Sequence, residues 1–389
     1  CGPGAIRDGR FVASDSTTLY GLASNRRGDM ARIQDGQVVW LASDFTITDP
    51  QSFDAAPGTY DPEASGIQLA DDGAAYASVR GDNDFGFDTS FVALDSRHAQ
   101  RWRLEVGSLD DYEGYGLAGD SDLAVITGQR LNLSANEPVV MTGDVVALEG
   151  STGAVRWRRR FPQPDQDQQV VLGLAPDGGP VIVAGSFNNS LDLGGSVGML
   201  HAAGSFDAFV AGLDRTTGET LWATQFSVDH FVIARVNHLV VGPAGELAMN
   251  IGWETTIGHD SGPAAGMLTI GTRTVAPQAE LSRAIALLGP TGELQWVQQS
   301  EDLISLVTDG SRVFGGARGV LSGLSAVGLD WRRPVTGPGF HVGSVSGLIG
   351  DRLVGTISSL PDVDGAFAPA VDGDVTIAGR GVAFVELVH

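Results

Sequence analysis

The sequence has one cysteine, no lysine and no long apolar run. Since the only cysteine of the 389 residues is Cys1, no disulfide can form within the chain. No apolar run approaches the roughly 18 residues that a membrane-spanning helix requires. Helical periodicity is nearly absent. What remains is a chain of short apolar runs punctuated by 54 glycines, a pattern typical of strands joined by tight turns.

The charge is strongly one-sided. The chain has 47 acidic and 24 basic residues, all of the basic ones arginine, and a formal net charge of −23. This excess of negative charge argues against binding to nucleic acid and against docking on anionic lipid head groups. Solubility or a genome that favours arginine codons explains the composition, and a saline habitat is the alternative.

One short pattern recurs along the chain, an apolar strand followed by a polar turn and a second strand that contains tryptophan. The first strand of the pattern appears seven times, as "MARIQD", "FVALDS", "VVALEG", "FVAGLD", "AIALLG", "VLSGLS" and "AFVELV". The first six copies are followed by Trp40, Trp102, Trp157, Trp222, Trp296 and Trp331. Variable spacing between copies indicates a fixed strand pair in each unit, with loops of different length.

Further strand-like runs precede each copy, which gives about four strands per unit. Four short strands repeated seven times predict an all-β chain folded as a seven-bladed β-propeller of four-stranded antiparallel blades. A single blade cannot bury both faces, so radial stacking must bury them against the two neighbouring blades. We expect each repeated tryptophan to lie on the outermost strand and to pack between blades.

The last unit lacks its outermost strand, and the N-terminus can supply it. Residues 3–9, "PGAIRDG", are the candidates. The sequence therefore predicts two parts: residues 1–9 as a leader and closing strand, and residues 10–389 as one propeller domain.

The stretches "GLDRTTGETLW" and "ALEGSTGAVRW" resemble the repeat of quinoprotein-like (PQQ-like) propellers. Units four, five and seven also resemble the propeller repeats of bacterial surface proteins, which carry an inserted hairpin before the third strand. Quinoprotein dehydrogenases carry an adjacent cysteine pair over the cofactor. This chain has no such pair, so the resemblance implies the fold without PQQ.

The beginning "CGPG" resembles a bacterial lipoprotein after removal of its signal peptide. That resemblance implies acylation of Cys1 and membrane attachment through several acyl chains. Gly2 at the next position is similar to the class sorted to the outer membrane. A chain that merely starts at this cysteine is the competing interpretation.

Arginines flank the tryptophans, and the densest group is "RWRRRF", which contains Arg156, Arg158, Arg159 and Arg160. Arginine on an outer strand protects the open edge of a sheet. The same residues could instead dock a carboxylate-bearing partner. By strand alternation we expect Arg156 and Arg158 opposite Trp157, with Arg159 and Arg160 at the strand end near a loop.

An acidic stretch, "GDNDFGFD", carries Asp82, Asp84 and Asp88 in what the sequence suggests is a loop. Alternate carboxylates in such a loop can converge on Ca²⁺, although the stretch does not match an EF-hand. Solvated turn carboxylates are the other interpretation. Apart from this tentative calcium site, the sequence indicates no cofactor.

No catalytic motif stands out, since the chain has neither H-E-x-x-H nor G-x-S-x-G. The resulting hypothesis is a non-catalytic, protein-binding scaffold at a bacterial cell envelope, lipid-anchored at the outer membrane. Its expected partners are other envelope or surface proteins, with the chain as one subunit of a larger assembly. One alternative is the propeller lipoprotein of outer-membrane β-barrel assembly. Another is a calcium-dependent lyase or hydrolase that uses the propeller channel.

Overall fold

The computed structural model contains strands and turns, and no helix, in the part of the chain that it describes. That part comprises residues 11–12, 19–24, 30–34, 37–41, 47–52, 60–83, 86–105, 112–131, 141–162, 171–175, 178–229, 232–255, 266–277, 281–300, 303, 305–317, 320–334, 340–349, 352–359, 382–384 and 387–388. Within these residues, no helix is long and apolar enough to cross a membrane.

The first three sheets each contain four consecutive strands. Sheet 1 comprises β2 (Leu19–Ser24), β3 (Met30–Gln34), β4 (Gln37–Leu41) and β5 (Ile47–Gln51). Sheet 2 comprises β6 (Tyr60–Leu69), β7 (Ala75–Asn83), β8 (Gly86–Leu94) and β9 (Gln100–Glu105). Sheet 3 comprises β10 (Tyr112–Gly119), β11 (Leu123–Leu131), β12 (Met141–Glu149) and β13 (Val155–Pro162).

The fourth and fifth units contain additional hairpins. Sheet 4 comprises β14 (Val171–Leu174), β15 (Val181–Phe187), β18 (Asp207–Leu213) and β19 (Thr220–Ser227), extended by β22 (Leu268–Ile270) and β23 (Arg273–Val275). A separate hairpin is formed by β16 (Ser190–Asp192) and β17 (Met199–His201). Sheet 5 comprises β20 (Val232–Val241), β21 (Leu247–Thr255), β24 (Leu281–Leu288) and β25 (Leu294–Gln299).

The last two sheets complete the described fold. Sheet 6 comprises β26 (Ser305–Thr308), β27 (Val313–Ala317), β28 (Val320–Ser325) and β29 (Gly328–Pro334). Sheet 7 comprises β30 (Phe340–Ile349), β31 (Arg352–Ser359), β32 (Val382–Phe384) and β1 (Phe11–Val12), with β33 (Leu387–Val388) also paired to β31.

The seven sheets stand in a ring, with the first strand of each innermost. Strands β2, β6, β10, β14, β20, β26 and β30 contact one another in this order, and β30 returns to contact β2. Five hydrophobic clusters lie between successive sheets, from the pair of sheets 1 and 2 to the pair of sheets 5 and 6. The predicted all-β propeller architecture is therefore confirmed, with a core divided among the sheet interfaces.

The ring closes through the N-terminal strand. Strand β1 pairs antiparallel with β32, with Phe11 opposite Ala383 and Val12 opposite Val382. It lies on the outer side of sheet 7, where the sequence predicts a closing strand. Residues 1–9, which we expected to include this strand, lie outside the described residues, and the pairing is made slightly further along the chain.

The repeated tryptophan joins sheet 2 to sheet 3 and sheet 3 to sheet 4. The indole Nε1 of Trp102, on the outer strand of sheet 2, donates to the carbonyl of Gly150 in sheet 3 at 2.9 Å. The indole Nε1 of Trp157, on the outer strand of sheet 3, donates to the carbonyl of Arg215 in sheet 4, also at 2.9 Å. Both acceptors lie in the turn between the third and fourth strands of the next sheet.

The glycine of the repeated Thr-Gly turn makes room for these rings. Gly153 has φ +73° and Gly218 has φ +74°, a left-handed conformation that favours glycine. A Cβ atom on Gly153 would lie 2.8 Å from the Trp102 ring, and one on Gly218 would lie 2.7 Å from the Trp157 ring. Each turn therefore needs glycine for both its backbone and the neighbouring tryptophan.

The same arrangement recurs with one variation. The Trp222 ring lies beside Gly292, where a Cβ atom would come within 2.5 Å of it. At the matching turn of sheet 2 the residue is His98, whose φ is +66°. Its imidazole stacks on Trp40, with ring centroids 3.7 Å apart and planes 19° apart. Here an aromatic contact takes the place of the close approach to glycine.

Sheet 1 departs from the predicted strand order. In sheets 2 to 6 the apolar run of the repeat is the third strand and the tryptophan lies on the fourth, as predicted. In sheet 1 the run that begins at Met30 forms β3, the second strand, and Trp40 lies on β4, the third. The prediction is wrong here, because only one strand, β2, precedes the repeat in this sheet, and β5 follows it as the outermost strand.

The inserted hairpins lie where the resemblance to surface-protein repeats implies for units four and five. The hairpin β16–β17 precedes the third strand of sheet 4, and β22–β23 precedes the third strand of sheet 5. Although β22 belongs in sequence to the fifth unit, it pairs with β19 of sheet 4, through Phe226 opposite Ile270 and Ser227 opposite Thr269. The end of the outer strand of sheet 4 therefore pairs with a strand from the next unit.

Candidate interaction surface

The predicted cationic cluster lies on β13, the outer strand of sheet 3, and its side chains divide between two faces. Trp157, Arg159 and Phe161 contact sheet 4. Arg156 and Arg158 contact acidic residues of sheet 3 itself. The alternation expected for Arg156, Trp157 and Arg158 is present. It is kept although the register of the β12–β13 pair shifts at Arg156, between Trp157 opposite Ala147 and Val155 opposite Leu148.

Arg159 lies in a different place from the one that we expected. Strand β13 extends to Pro162, so Arg159 is within the strand and faces sheet 4. Its guanidinium donates to the carbonyls of Gly218 and Leu193 and lies 5.5 Å from the ring centroid of Phe161. Burial lowers the pKa of Arg159. The side chain helps to join sheet 3 to two loops of sheet 4.

Arg156 forms a paired ion contact at one end of sheet 3. Its guanidinium lies 2.6 Å from the Glu149 carboxylate and 3.1 Å from that of Asp122. Hydrogen bonds from Arg156 lower the pKa of both carboxyl groups, and the same bonds raise the pKa of Arg156. Asp122 belongs to the turn between the first two strands, so the contact links both halves of the sheet.

Arg215, in the β18–β19 turn of sheet 4, extends this contact across the interface between sheets 3 and 4. Its guanidinium contacts the carboxylate of Asp120 and lies 3.4 Å from that of Asp122. The carbonyl of the same residue accepts the Trp157 indole hydrogen bond. One turn residue therefore receives both the tryptophan and the carboxylates of the preceding sheet.

Arg158 and Arg160 share one buried acid. The carboxylate of Asp144, on β12, has no exposed surface and accepts two hydrogen bonds from the Arg158 guanidinium. Arg160 Nε lies 3.6 Å from the other oxygen of Asp144. A buried carboxylate destabilises the folded protein unless it is paired. Arg158 and Arg160 therefore stabilise the fold by compensating the charge of Asp144, although parts of both side chains are exposed.

All four arginines of the cluster thus contact groups of the same molecule. Three of them pair with carboxylates and the fourth binds backbone carbonyls. These contacts favour the structural interpretation over docking of an external partner. Sequence reasoning could not identify the partners, because Asp122 lies 34 residues and the Gly218 carbonyl 59 residues from the arginines that bind them.

The predicted calcium residues fall on a hairpin rather than a loop. Asp82 lies on β7 opposite Phe87, and Asp88 lies on β8 opposite Gly81. Asp84 lies outside the described residues. The described parts of the chain contain no group of three or more histidine, cysteine or acidic residues that could hold a metal.

A cavity that the sequence analysis missed lies on the outer side of sheets 4 and 5. It has a volume of about 530 Å³ and is bounded mainly by β23 and β25, with Ala326 from sheet 6. Its polar side chains include Arg273, Gln295 and Gln298, and no acidic residue contributes to the wall. The available signal was the unusual composition of β25, whose sequence is "LQWVQQ".

Comparisons with known proteins agree with the fold. No protein-family profile and no curated protein sequence matches the chain. One chain of the mitotic checkpoint complex is similar in structure, with a TM-score of 0.54 and 11% identity over 100% of this chain and 94% of the other.

Two further structures show weaker likeness. The WD40 domain of Neurospora crassa Pan2 has a TM-score of 0.48 and 9% identity over 98% of this chain and 97% of its own. The β-propeller domain of the Trilobed protease from Pyrococcus furiosus has a TM-score of 0.44 and 10% identity over 80% and 86%. At such identities likeness concerns the fold alone, and the chain folds as a β-propeller.

Proposed function

We propose that this β-propeller is a non-catalytic scaffold that binds other proteins at a bacterial cell envelope. The observation that carries the proposal is the joining of adjacent sheets by tryptophan hydrogen bonds and by the guanidinium groups of Arg159 and Arg215. Trp102 and Trp157 each bind a carbonyl of the next sheet, and Arg159 and Arg215 add contacts across the same interface as Trp157. A ring joined in this way is a rigid platform, which lowers the entropic cost of binding.

The electrostatics indicate what kind of partner would suit it. The formal net charge is −23, and the densest group of cations is already paired within the molecule. A neutral or basic protein surface would therefore be attracted, whereas nucleic acid and other strongly acidic surfaces would be repelled. This proposal includes association with envelope or surface proteins as one subunit of a larger assembly.

The proposed anchor is a lipid on Cys1. It rests on the resemblance of "CGPG" to processed bacterial lipoproteins, and on the fact that this is the only cysteine. The native protein should be heavier than its sequence by glycerol and two or three acyl chains. The Cys1→Ser variant should leave the membrane fraction with its melting temperature unchanged, because no disulfide is lost.

Crosslinking in intact cells, followed by mass spectrometry, tests the scaffold role. Specific envelope proteins should be recovered repeatedly, and their purified forms should bind the purified propeller in solution. Binding should weaken as ionic strength rises if charge attraction contributes. Recovery of no reproducible partner from cells that contain the folded protein would contradict the proposal.

A further inference from the structure

The outer strands of the described sheets differ in how their free edges are protected. An unpaired strand edge invites pairing with another chain unless charge, proline or a covering element blocks it. Strand β5 contains Asp49 and Pro50, β9 contains Arg101 and Arg103, β13 contains the arginine cluster, and β29 contains Arg332 and Arg333. Strand β1 is only two residues long, and the last two residues of β19 pair with β22.

Strand β25 has none of these protections. It comprises Leu294–Gln299 and contains neither a charged residue nor proline. It pairs with β24 on one side, and no described strand pairs with its other side. Among the outer strands of the seven described sheets, β25 is therefore neutral along its whole length, with no described strand on its outer edge. Strand β19 also lacks charge and proline, but β22 pairs with its last two residues, Phe226 and Ser227.

The backbone of β25 is oriented to accept another strand. The peptide N–H of Ser300 donates to the carbonyl of Arg283 on the β24 side. Because successive peptide groups of an antiparallel strand point in opposite directions, the N–H and C=O of Val297 point away from β24. These are the groups with which an added strand forms its ladder.

The residue that follows the tryptophan also indicates that the edge of β25 can accept another strand. That residue is Arg103 on β9, Arg158 on β13 and Arg332 on β29, three strands whose edges are unpaired. It is Ala223 on β19, the strand whose end, at Phe226 and Ser227, pairs with β22. On β25 it is Val297, which packs against the hydrophobic cluster between sheets 4 and 5. By this comparison β25 resembles β19, an outer strand to which another strand is added, rather than the strands that carry arginine at this position.

The cavity beside β25 contains side chains from both faces of the strand, so it runs along the edge. The Gln298 amide donates to the carbonyl of Ala326 at 3.0 Å, and the Gln299 amide donates to the carbonyl of Ala276. Arg273 lies in the wall and has no ion-pair partner in the described part of the chain. A carboxylate on an incoming segment would supply one.

We propose that β25 binds an extended segment of a partner protein by strand addition, with one acidic side chain of an otherwise neutral or basic segment paired to Arg273. This inference rests on the proposed scaffold function and names its docking surface. Strand β22 provides the geometric precedent, since it adds to the matching edge of sheet 4. A second copy of this chain is a poorer occupant, because each copy carries a net charge of −23.

The first experiment measures binding of labelled peptides of about seven residues, typical of a strand. The peptides alternate threonine and valine and differ only in a central glutamate, glutamine or lysine. Fluorescence anisotropy should show saturable binding, with the glutamate peptide about threefold tighter than the lysine peptide. In the Arg273→Gln variant this preference should disappear. Absence of binding, or binding without the glutamate preference, would overturn the proposal.

The second experiment blocks the edge of β25 with arginine, the residue that follows the tryptophan on β9, β13 and β29. Val297→Arg should weaken peptide binding about tenfold or more, because it introduces the charge that protects β9 and β13. Val327→Arg is the matched control, since Val327 is 92% exposed in the β28–β29 turn and outside the cavity. It should bind as the unaltered protein does. If Val297→Arg melts early, Gln295→Arg at an exposed position of the same strand replaces it.

Two further results separate this inference from the function on which it rests. If cellular crosslinks persist at equal yield in Val297→Arg, the scaffold function stands and the β25 proposal fails. If sedimentation shows a dimer that Val297→Arg dissociates, the occupant is a second copy and the partner proposal fails. Loss of the crosslinks in Val297→Arg, with Val327→Arg unaffected, supports both proposals.

Discussion

Strands β13 and β25 are the outer strands of sheets 3 and 5, yet their free edges differ in how they are protected. Both carry the repeated tryptophan, and each indole donates to a carbonyl of the next sheet, Trp157 to Arg215 and Trp296 to Ser311. On β13 the flanking residues are arginines bound to internal carboxylates. On β25 they are glutamine and valine beside a cavity.

This difference separates two properties of the repeat, the packing of adjacent sheets and the protection of the free strand edge. The tryptophan holds adjacent sheets together in both strands, so it belongs to the architecture. The residues around it vary, and they decide whether the edge is closed by charge or left able to pair. Fold and binding capacity can therefore change independently in this molecule.

The largest expected effect tests what the two strands share. Trp157→Ala and Trp296→Ala should each lower the free energy of unfolding by about 3–5 kcal/mol, because each removes a large ring between sheets. Both rings are mostly buried, with 9% and 8% of their surface exposed. Chemical denaturation measures the two losses. A loss confined to one of the two variants would show that the tryptophans do not have the same role.

A smaller effect tests what β13 has and β25 lacks. Arg158→Leu should lower the free energy of unfolding by about 3 kcal/mol, since it leaves the buried Asp144 carboxylate without its main partner. The double variant Arg158→Leu with Asp144→Leu should recover most of that loss, because no charge then remains to be compensated. Equal losses in the single and double variants would mean that the pair contributes through packing alone.

The smallest effect is one that depends on pH. Arg156→Gln should lower the melting temperature by about 2 °C at neutral pH. Arg156 holds the pKa values of Asp122 and Glu149 below their ordinary values of 3.8 and 4.5. Stabilisation of this kind is complete above the ordinary values and is lost as pH falls through the lowered ones.

The difference in melting temperature between the unaltered protein and Arg156→Gln should therefore shrink below about pH 4. Calorimetry over an acid series measures it. The Gln295→Ala variant, at the matching position of β25, serves as the control. It neither removes nor adds a charge and should show no acid-dependent difference. A difference that grows in acid would contradict the assigned ion contact.

The sequence was sufficient for the local structure of most units. Alternating apolar residues, a Thr-Gly turn and a tryptophan define the β12–β13 hairpin and its equivalents, because strand period and turn chemistry are local properties. Sheet 1 is the exception, because one strand rather than two precedes the repeat in this sheet. Arg159 is a second exception, because where β13 ends depends on its pairing with β12, up to Pro162 opposite Thr142.

Only the tertiary structure decided which groups of adjacent sheets contact each other. The repeat predicts Gly218 in a turn, but its contact with the Trp157 ring joins two sheets. Strand β22 belongs to the fifth unit in sequence and to the fourth sheet in space. The exposed edge of β25 likewise follows from which strands are added elsewhere. Turns and strands follow from neighbouring residues. Burial, ion pairing and edge exposure depend on residues far apart in the chain, so they are determined only when the sheets have packed into the ring.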